Sequence, residues 1–155
     1  MDAFGIPSPT RCGNDTATAQ FKITVHVESN CNLNVASDLD FGRHVAINED
    51  VRGRGLINVR CTRSTPYSIK LGSREANGQR FMTIGSARGA GKAQIPYELY
   101  QDSSYSTIWD AVKSVPSGEG NGGEQSIPVY GLVRRQAQSF PQGIYTDIVP
   151  VILEY

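Results

Sequence analysis

Apolar and polar residues alternate with a period of two in several short segments, which is the pattern of strands with one buried face. The first and clearest of these segments covers residues 21–27. Successive side chains of a strand point to opposite faces, so its apolar residues share one face. Those residues are Phe21, Ile23, Val25 and Val27. The opposite face carries Lys22, Thr24 and His26.

Further segments combine this alternation with β-branched or aromatic residues and are bounded by turn-forming residues. They are Leu39–Phe41, Leu56–Cys61, Tyr67–Leu71, Arg80–Ile84, Ile95–Tyr100, Ile127–Val133 and Tyr145–Tyr155. No stretch shows the apolar spacing of a long helix. Short strands without intervening helices predict an all-β protein, and specifically an antiparallel β-sandwich.

The remaining segments divide into loops and an arm. Gly85–Lys92 and Ser117–Gln125 are Gly-rich and are predicted to be flexible loops, whereas Phe140–Gly143 is predicted to be a tighter connection. Residues 1–20 carry too little apolar surface to fold alone, and we expect a flexible N-terminal arm there. Residues 21–155 then form a single domain.

The last predicted strand has one apolar face and is followed by no further strand pattern. The residues on that face are Val149, Val151, Leu153 and Tyr155. We therefore expect a sandwich whose final edge needs a cover, because an exposed apolar strand edge recruits other chains. The strand at residues 21–27 is a candidate cover, either within its own molecule or on the next molecule.

Composition narrows the class of protein. With 155 residues the chain has the size of one domain. Its 15 basic and 15 acidic residues balance, so no broad field attracts nucleic acid or an anionic membrane, and proteins are the expected partners. No apolar run approaches the roughly 20 residues that cross a bilayer.

The chain contains three cysteines, whose bonding states are predicted from the segments around them. Cys31 and Cys61 each adjoin a strand-like segment, so they form either a disulfide or two buried thiols. A disulfide closing that loop contributes about 3 to 4 kcal/mol on the chain-entropy model. Cys12 lies in a polar stretch, where it is either a free thiol or a link to another chain.

Candidate chemistry is weak throughout. The Gly-rich stretch from Gly85 to Lys92 lacks the glycine spacing and the Ser or Thr of a phosphate-binding loop. His26 and His44 lie in no metal-ligand pattern, and no Gly-x-Ser-x-Gly motif is present. Arg52, Arg54, Arg134 and Arg135 are interpreted as solvated surface residues. We expect no catalysis, no cofactor, no metal site and no small-molecule substrate.

Motifs along most of the chain nevertheless resemble one known family. They are Leu39-Asp-Phe-Gly42, Ile57-Asn-Val-Arg-Cys61, Thr65-Pro-Tyr-Ser-Ile-Lys-Leu-Gly72, Tyr97-Glu-Leu-Tyr-Gln-Asp102, Trp109, Val129-Tyr-Gly131 and Pro141-Gln-Gly-Ile-Tyr-Thr-Asp147, followed by the closing Val149–Tyr155. In this order they resemble the spore coat protein U domain family, which includes the Csu-type pilins of archaic chaperone-usher pili.

The resemblance implies an incomplete immunoglobulin-like sandwich that lacks its last strand and is held by a Cys31–Cys61 disulfide. In such proteins a periplasmic chaperone lends a strand to the gap, and an outer-membrane usher exchanges it for the N-terminal strand of the next subunit. The expected donor lies within residues 17–27, and the acceptor lies along Val149–Tyr155. The implied product is a secreted pilus that supports surface adhesion and biofilm formation.

Alternatives remain at this stage. The chain could be a spore-coat or surface-layer protein, or a self-complemented secreted binding module or tip adhesin. The arm before Phe21 is longer than in many pilins, Cys12 is extra, and Asp110 stands where Gly is usual. Residues 21–27 could therefore be the subunit's own first strand, with the donated segment upstream of them.

Overall fold

The computed structural model describes residues 13–72, 79–84, 93–110 and 116–155. Cys12, most of the predicted arm and the Gly85–Lys92 loop lie outside these ranges. Within them the regular structure consists of β-strands. The strands are β1 (Cys31–Ser37), β2 (Val51–Cys61), β3 (Pro66–Leu71), β4 (Arg80–Ile84), β5 (Gln94–Tyr100), β6 (Ser117–Glu119), β7 (Glu124–Val133), β8 (Tyr145–Thr146) and β9 (Val151–Glu154).

The strands form two antiparallel sheets. The larger sheet has the order β1-β2-β7-β5-β4-β8, and the smaller one has the order β6-β3-β9. Buried apolar side chains from both sheets belong to one cluster. The predicted all-β antiparallel sandwich is therefore confirmed, and no helix among the described residues is long and apolar enough to span a membrane.

The longest ladder joins β2 to β7, where Val51–Arg60 pair with Glu124–Val133. Odd-numbered residues of both strands face the other sheet, so Ile57, Val59 and Val129 are buried. The period-two pattern thus predicted these strands, and their alternate residues form the core face.

Trp109 joins the two layers of the sandwich. Its backbone N–H donates to the Leu99 carbonyl of β5 at 2.9 Å, and its Nε1 donates to the Ile69 carbonyl of β3 at 3.0 Å. The buried guanidinium of Arg80 forms a second link, since it donates to the carbonyls of Leu71 and Gly72 at the end of β3. Both links fix the small sheet in place while leaving the outer edge of β9 untouched.

The prediction of a strand at Leu39–Phe41 is wrong, because this segment packs on the inner face of the large sheet instead of joining it. Two glycines make room for it. A Cβ added at Gly53 would lie 2.8 Å from Leu39 Cδ2, and one at Gly131 would lie 2.8 Å from Leu39 Cδ1 and Phe41 Cζ. The alternating pattern here therefore reflects side-chain packing against Gly53 of β2 and Gly131 of β7.

Two further boundaries differ from the predictions. Ser117–Gln125 was predicted to be a flexible loop, but it contains β6 and the start of β7. The single strand predicted at Tyr145–Tyr155 is divided, because β8 pairs with β4 of the large sheet and β9 pairs with β3 of the small one. Residues 147–150 cross between the sheets, and the Pro150 carbonyl accepts from the Gly72 N–H at 2.9 Å.

Candidate functional site

The segment at residues 21–27 is the most exposed apolar stretch that the structure describes. Its four apolar side chains are 85%, 85%, 84% and 79% exposed for Phe21, Ile23, Val25 and Val27 respectively. The segment pairs with no strand of the described chain. Among the described residues, this strand-forming pattern therefore has no strand partner.

Two hydrogen bonds between Asn30 and Thr62, together called the clamp, attach this segment to the domain. Asn30 accepts at its carbonyl from the Thr62 N–H at 2.9 Å and donates its N–H to Thr62 Oγ1 at 3.0 Å. The next residue, Cys31, forms a disulfide with Cys61, which confirms that pairing. Only Glu28 and Ser29 separate the apolar segment from this clamp.

Strand β9 presents the opposite situation, a paired strand with one open edge. On one side it pairs antiparallel with β3, where Ser68 is opposite Glu154 and Leu71 is opposite Val151. On the other side it is the last strand of the small sheet among the described residues. Its backbone groups on that side are available to a further strand.

The apolar residues near this edge are only partly covered. Val149, Val151 and Leu153 pack against the core and are half-buried, whereas Tyr155 is 60% exposed. Other half-buried apolar side chains pack on the same core from β1, the start of β2 and the segment between them. They are Leu33, Leu39, Phe41, Ile47 and Val51. Core residues that would be fully covered in a complete sandwich therefore retain access to solvent.

The exposed segment at residues 21–27 and the predicted edge segment at residues 149–155 have the same length in the sequence. Phe21 and Val27 are six residues apart, as are Val149 and Tyr155. Six steps of extended chain span roughly 20 Å. Each stretch places four apolar residues at alternate positions, and in the second stretch Val151–Glu154 form β9.

The titratable groups near the crossing have structural partners. Tyr97 donates its hydroxyl to Asp147 Oδ2 at 2.7 Å. Burial, and to a lesser extent the hydrogen bond and charge of Asp147, raise the pKa of Tyr97 far above its ordinary value. The phenol stays protonated at neutral pH and joins β5 to the crossing at residues 147–150.

The arginines on the large sheet are exposed, as predicted, but they contact aromatic rings that were not predicted. The Arg52 guanidinium lies 5.3 Å from the ring centre of Tyr105, and that of Arg54 lies 5.9 Å from that of Tyr130. Tyr105 belongs to a loop distant in sequence, so neither spacing nor charge indicates the contact. Arg134 forms an ion pair with Glu98 at 3.0 Å.

The sequence predicted no metal site, and the described residues contain no group of three or more His, Cys, Asp or Glu side chains arranged to hold a metal ion. His44 contacts the Phe41 carbonyl at 2.6 Å, and His26 lies in the exposed segment. The sequence interpretation missed the Asn30–Thr62 clamp. The signal was present, since these two residues directly flank the paired cysteines.

Comparison with known proteins gives two kinds of likeness. A family model described as the Spore Coat Protein U domain matches residues 17–152. The chain also resembles a solved pre-assembly complex of the CsuC chaperone and the CsuE tip adhesion subunit from the archaic chaperone-usher Csu pili of Acinetobacter baumannii. The identity is 25%, the TM-score is 0.57, and the match covers 83% of this chain and 40% of that one.

A second solved structure supports the fold alone. It is a chaperone-usher pilus studied for rod uncoiling, it is 10% identical, and it has a TM-score of 0.52. The match covers 92% of this chain and 97% of that one, and it agrees with the predicted immunoglobulin-like class. No curated protein matches the sequence.

Proposed function

Because this chain belongs to the Spore Coat Protein U domain family, we propose that it is a structural pilin. It polymerises by donor-strand exchange into an archaic chaperone-usher pilus that supports surface adhesion and biofilm formation. One observation carries the proposal: the same chain has an exposed apolar segment at residues 21–27 and an unpaired strand edge at β9.

In this proposal the donor strand comes from residues 17–27, and its apolar face enters the neighbouring subunit. The entering side chains are Phe21, Ile23, Val25 and Val27, and the receiving edge is Val149, Val151, Leu153 and Tyr155. Burying each donor side chain stabilises the contact by about 1.5 to 3 kcal/mol, roughly 6 to 12 kcal/mol in all as an upper estimate. Backbone hydrogen bonds along β9 add to this, as in other strand additions to a sheet edge.

The same geometry supports the proposed organisation, with a flexible arm at residues 1–20 and a single pilin domain at residues 21–155. Residues 13–20 are exposed and outside regular structure, and they continue the arm toward the N-terminus. The folded body begins at the Asn30–Thr62 clamp, so the donor projects from a fixed point. A projecting strand with a two-residue connection reaches a neighbour while its own domain stays intact.

An open apolar edge is an aggregation hazard before assembly. We propose that a periplasmic chaperone covers β9 with a strand of its own and that an outer-membrane usher exchanges it for the next subunit. The pilin thus travels through the periplasm to the bacterial cell surface. The similar solved structure is a complex of a chaperone with a pilus subunit, which favours the pilus over the spore-coat alternative.

We assign no enzyme activity and no cofactor to the chain. The buried polar side chains that could serve chemistry hold the sandwich together instead: Arg80 binds carbonyls of β3, and Tyr97 binds Asp147. The proposed structural role requires the open edge of β9 and the donor segment, whose contacting side chains are apolar.

Replacing Val25 by Asp tests the donor assignment. A carboxylate on the buried face cannot enter an apolar groove without a large desolvation penalty, so Val25→Asp should abolish fibres. Chaperone binding should persist, because it uses the β9 edge. Electron microscopy of fibres and co-purification with the chaperone measure the two properties separately.

Thr24→Asp is the matched control, since residue 24 lies on the opposite face of the same segment. Fibres should form from this variant at close to the normal yield. A normal fibre yield from Val25→Asp would exclude residues 21–27 as the donor strand.

A further inference from the structure

A group of arginine and tyrosine side chains lies on the outer face of the large sheet, the face turned away from the core. Arg54 of β2 is directly opposite Tyr130 of β7, and Tyr130 is opposite Tyr100 of β5. These three side chains therefore form a row across adjacent strands. Arg52 lies two residues from Arg54 on the same face of β2, and Tyr105 reaches the row from the loop after β5. We call these five residues the arginine–tyrosine patch.

The loop after β5 fixes Tyr105 in this position. Its backbone φ is 56°, a left-handed value that is uncommon for residues other than glycine. Its N–H donates to the Asp102 carbonyl at 3.2 Å, and the Asp102 carboxylate accepts from the N–H groups of Ser106 and Thr107 at 3.2 and 3.0 Å. The Tyr105 ring packs edge-on against that of Tyr130, with the ring centres 6.0 Å apart. The patch is therefore formed before any ligand binds, which lowers the entropic cost of binding.

Four groups of the patch that can donate hydrogen bonds are left without an acceptor. Arg52 and Arg54 are exposed, and neither forms an ion pair or a side-chain hydrogen bond within the part of the chain that the structure describes. Each guanidinium lies against a tyrosine ring, which positions it while its N–H groups stay available. The hydroxyl groups of Tyr105 and Tyr130 also have no hydrogen-bond partner among the described residues, and neither hydroxyl oxygen is buried. Two charged and two neutral donors thus face solvent side by side.

This set of donors defines the chemistry of a matching ligand. The planar fork of an arginine binds a carboxylate with two parallel hydrogen bonds, whereas a phenol hydroxyl suits a neutral oxygen. A polysaccharide of acidic sugars offers both in each acidic unit, since such a sugar carries one carboxylate together with hydroxyl and ring oxygens. The chain as a whole has 15 basic and 15 acidic residues, so a polyanion gains little from the overall charge and depends on the local one.

We propose that the arginine–tyrosine patch binds a carboxylate-bearing polysaccharide. The patch lies on the large sheet, whereas the proposed strand exchange uses β9 of the small sheet, so the two activities do not compete for one surface. In a fibre the patch is repeated on every subunit. A polymer of repeating acidic sugars then engages many patches at once and gains avidity, and this multivalent step alone rests on the proposed function.

Binding of the monomeric chain to immobilised polygalacturonate, measured by biolayer interferometry, tests the charged half of the patch. Arg52→Gln with Arg54→Gln should raise the Kd about tenfold or more, the factor expected from losing charge-assisted hydrogen bonds. Arg60→Gln with Arg63→Gln is the matched control, because both residues are exposed and the net charge changes equally. The control should bind as the unmodified chain does. Equal losses from the two double variants would overturn the proposal.

A second pair of substitutions tests the neutral half of the patch. Tyr105→Phe with Tyr130→Phe keeps both rings and removes only the hydroxyl groups, so the fold and the arginine contacts are retained. We expect the Kd for polygalacturonate to rise about threefold or more. An unchanged Kd would mean that the hydroxyl groups contact no ligand oxygen and would overturn the assignment to a sugar.

The class of polymer is tested with two further probes on the same instrument. Dextran, a neutral polysaccharide, and polyglutamate, an acidic polypeptide, should both bind more weakly than polygalacturonate. Binding of polyglutamate as tight as that of polygalacturonate would overturn the polysaccharide in favour of an acidic protein partner. Fibre formation is scored separately by electron microscopy, so an absence of fibres from a chain that binds polygalacturonate would contradict the proposed pilin function and leave the patch assignment intact.

Discussion

Strand β3 and the segment at residues 21–27 have the same alternating pattern but opposite environments. In β3, Tyr67, Ile69 and Leu71 are 7%, 0% and 1% exposed. In the segment, the corresponding side chains are about four-fifths exposed. The difference is the partner: β3 lies between β6 and β9, whereas the segment has no neighbouring strand in the part of the chain that the structure describes.

The comparison shows what an alternating pattern can and cannot predict. It reports that a segment can form a strand with one buried face, because that is a local property of the sequence. It does not report whether the partner strand belongs to the same molecule. That depends on where the sheet has an open edge.

We expect the largest difference in monomer stability between alanine variants of Ile69 in β3 and Ile23 in the exposed segment, which occupy matching positions in the alternating pattern. Ile69→Ala leaves a cavity in the closed part of the core and should lower the free energy of unfolding by about 4 kcal/mol. Ile23→Ala removes an exposed side chain and should change the stability of the monomer by less than about 0.5 kcal/mol. Urea denaturation of the monomeric chain measures both.

In the polymer, by contrast, Ile23→Ala should have a clear effect on the stability of the fibre. Ile23→Ala should lower the temperature at which fibres dissociate, because in the fibre this side chain is proposed to be buried in the neighbour. A loss of monomer stability from Ile23→Ala comparable to that from Ile69→Ala would mean that the segment packs within its own chain.

A smaller loss of monomer stability is expected from a variant at Thr62, where the exposed segment joins the folded domain. Thr62→Val keeps the shape of residue 62 but removes the hydroxyl that accepts from the Asn30 N–H. We expect the free energy of unfolding to fall by about 1 kcal/mol, the usual net contribution of such a hydrogen bond. Ser29→Ala, one residue outside the clamp, should have almost no effect, and equal effects of the two variants would place the boundary elsewhere.

The sequence predicted the central strands well for a physical reason. Segments such as Leu56–Cys61 and Ile127–Val133 lie in the middle of the large sheet, where one face is buried and the pattern is strongest. Strand β1 was missed because its alternation is short: Leu33 and Val35 alternate with Asn32 and Asn34. Asparagine is uncommon in strands, so an edge strand of this composition gives a weak signal.

Other differences come from tertiary structure that a local pattern does not contain. Leu39 and Phe41 alternate as in a strand, but they cover Gly53 and Gly131 of strands that are distant in sequence. The C-terminal pattern is continuous, but the chain changes sheet between Thr146 and Val151. In both cases the pattern reflects which side chains pack on the core and does not show which strand the backbone pairs with.

For the candidate site, the cysteine pairing and the exposed edge followed from the sequence and its family resemblance. The clamp at Asn30 and Thr62 did not: both residues flank the paired cysteines, but their identity does not show which backbone groups are hydrogen-bonded. The contacts of Arg52 and Arg54 with tyrosine rings were missed for the related reason that Tyr105 reaches them from another loop.

The central claim is that residues 21–27 gain their strand partner only from another copy. Amide hydrogen exchange of the monomer and of the assembled fibre tests it most directly, since paired backbone amides exchange slowly and unpaired ones exchange fast. We predict fast exchange at residues 21–27 in the monomer and strong protection in the fibre, accompanied by new protection at residues 149–155. Equal protection of residues 21–27 in both states would contradict the account.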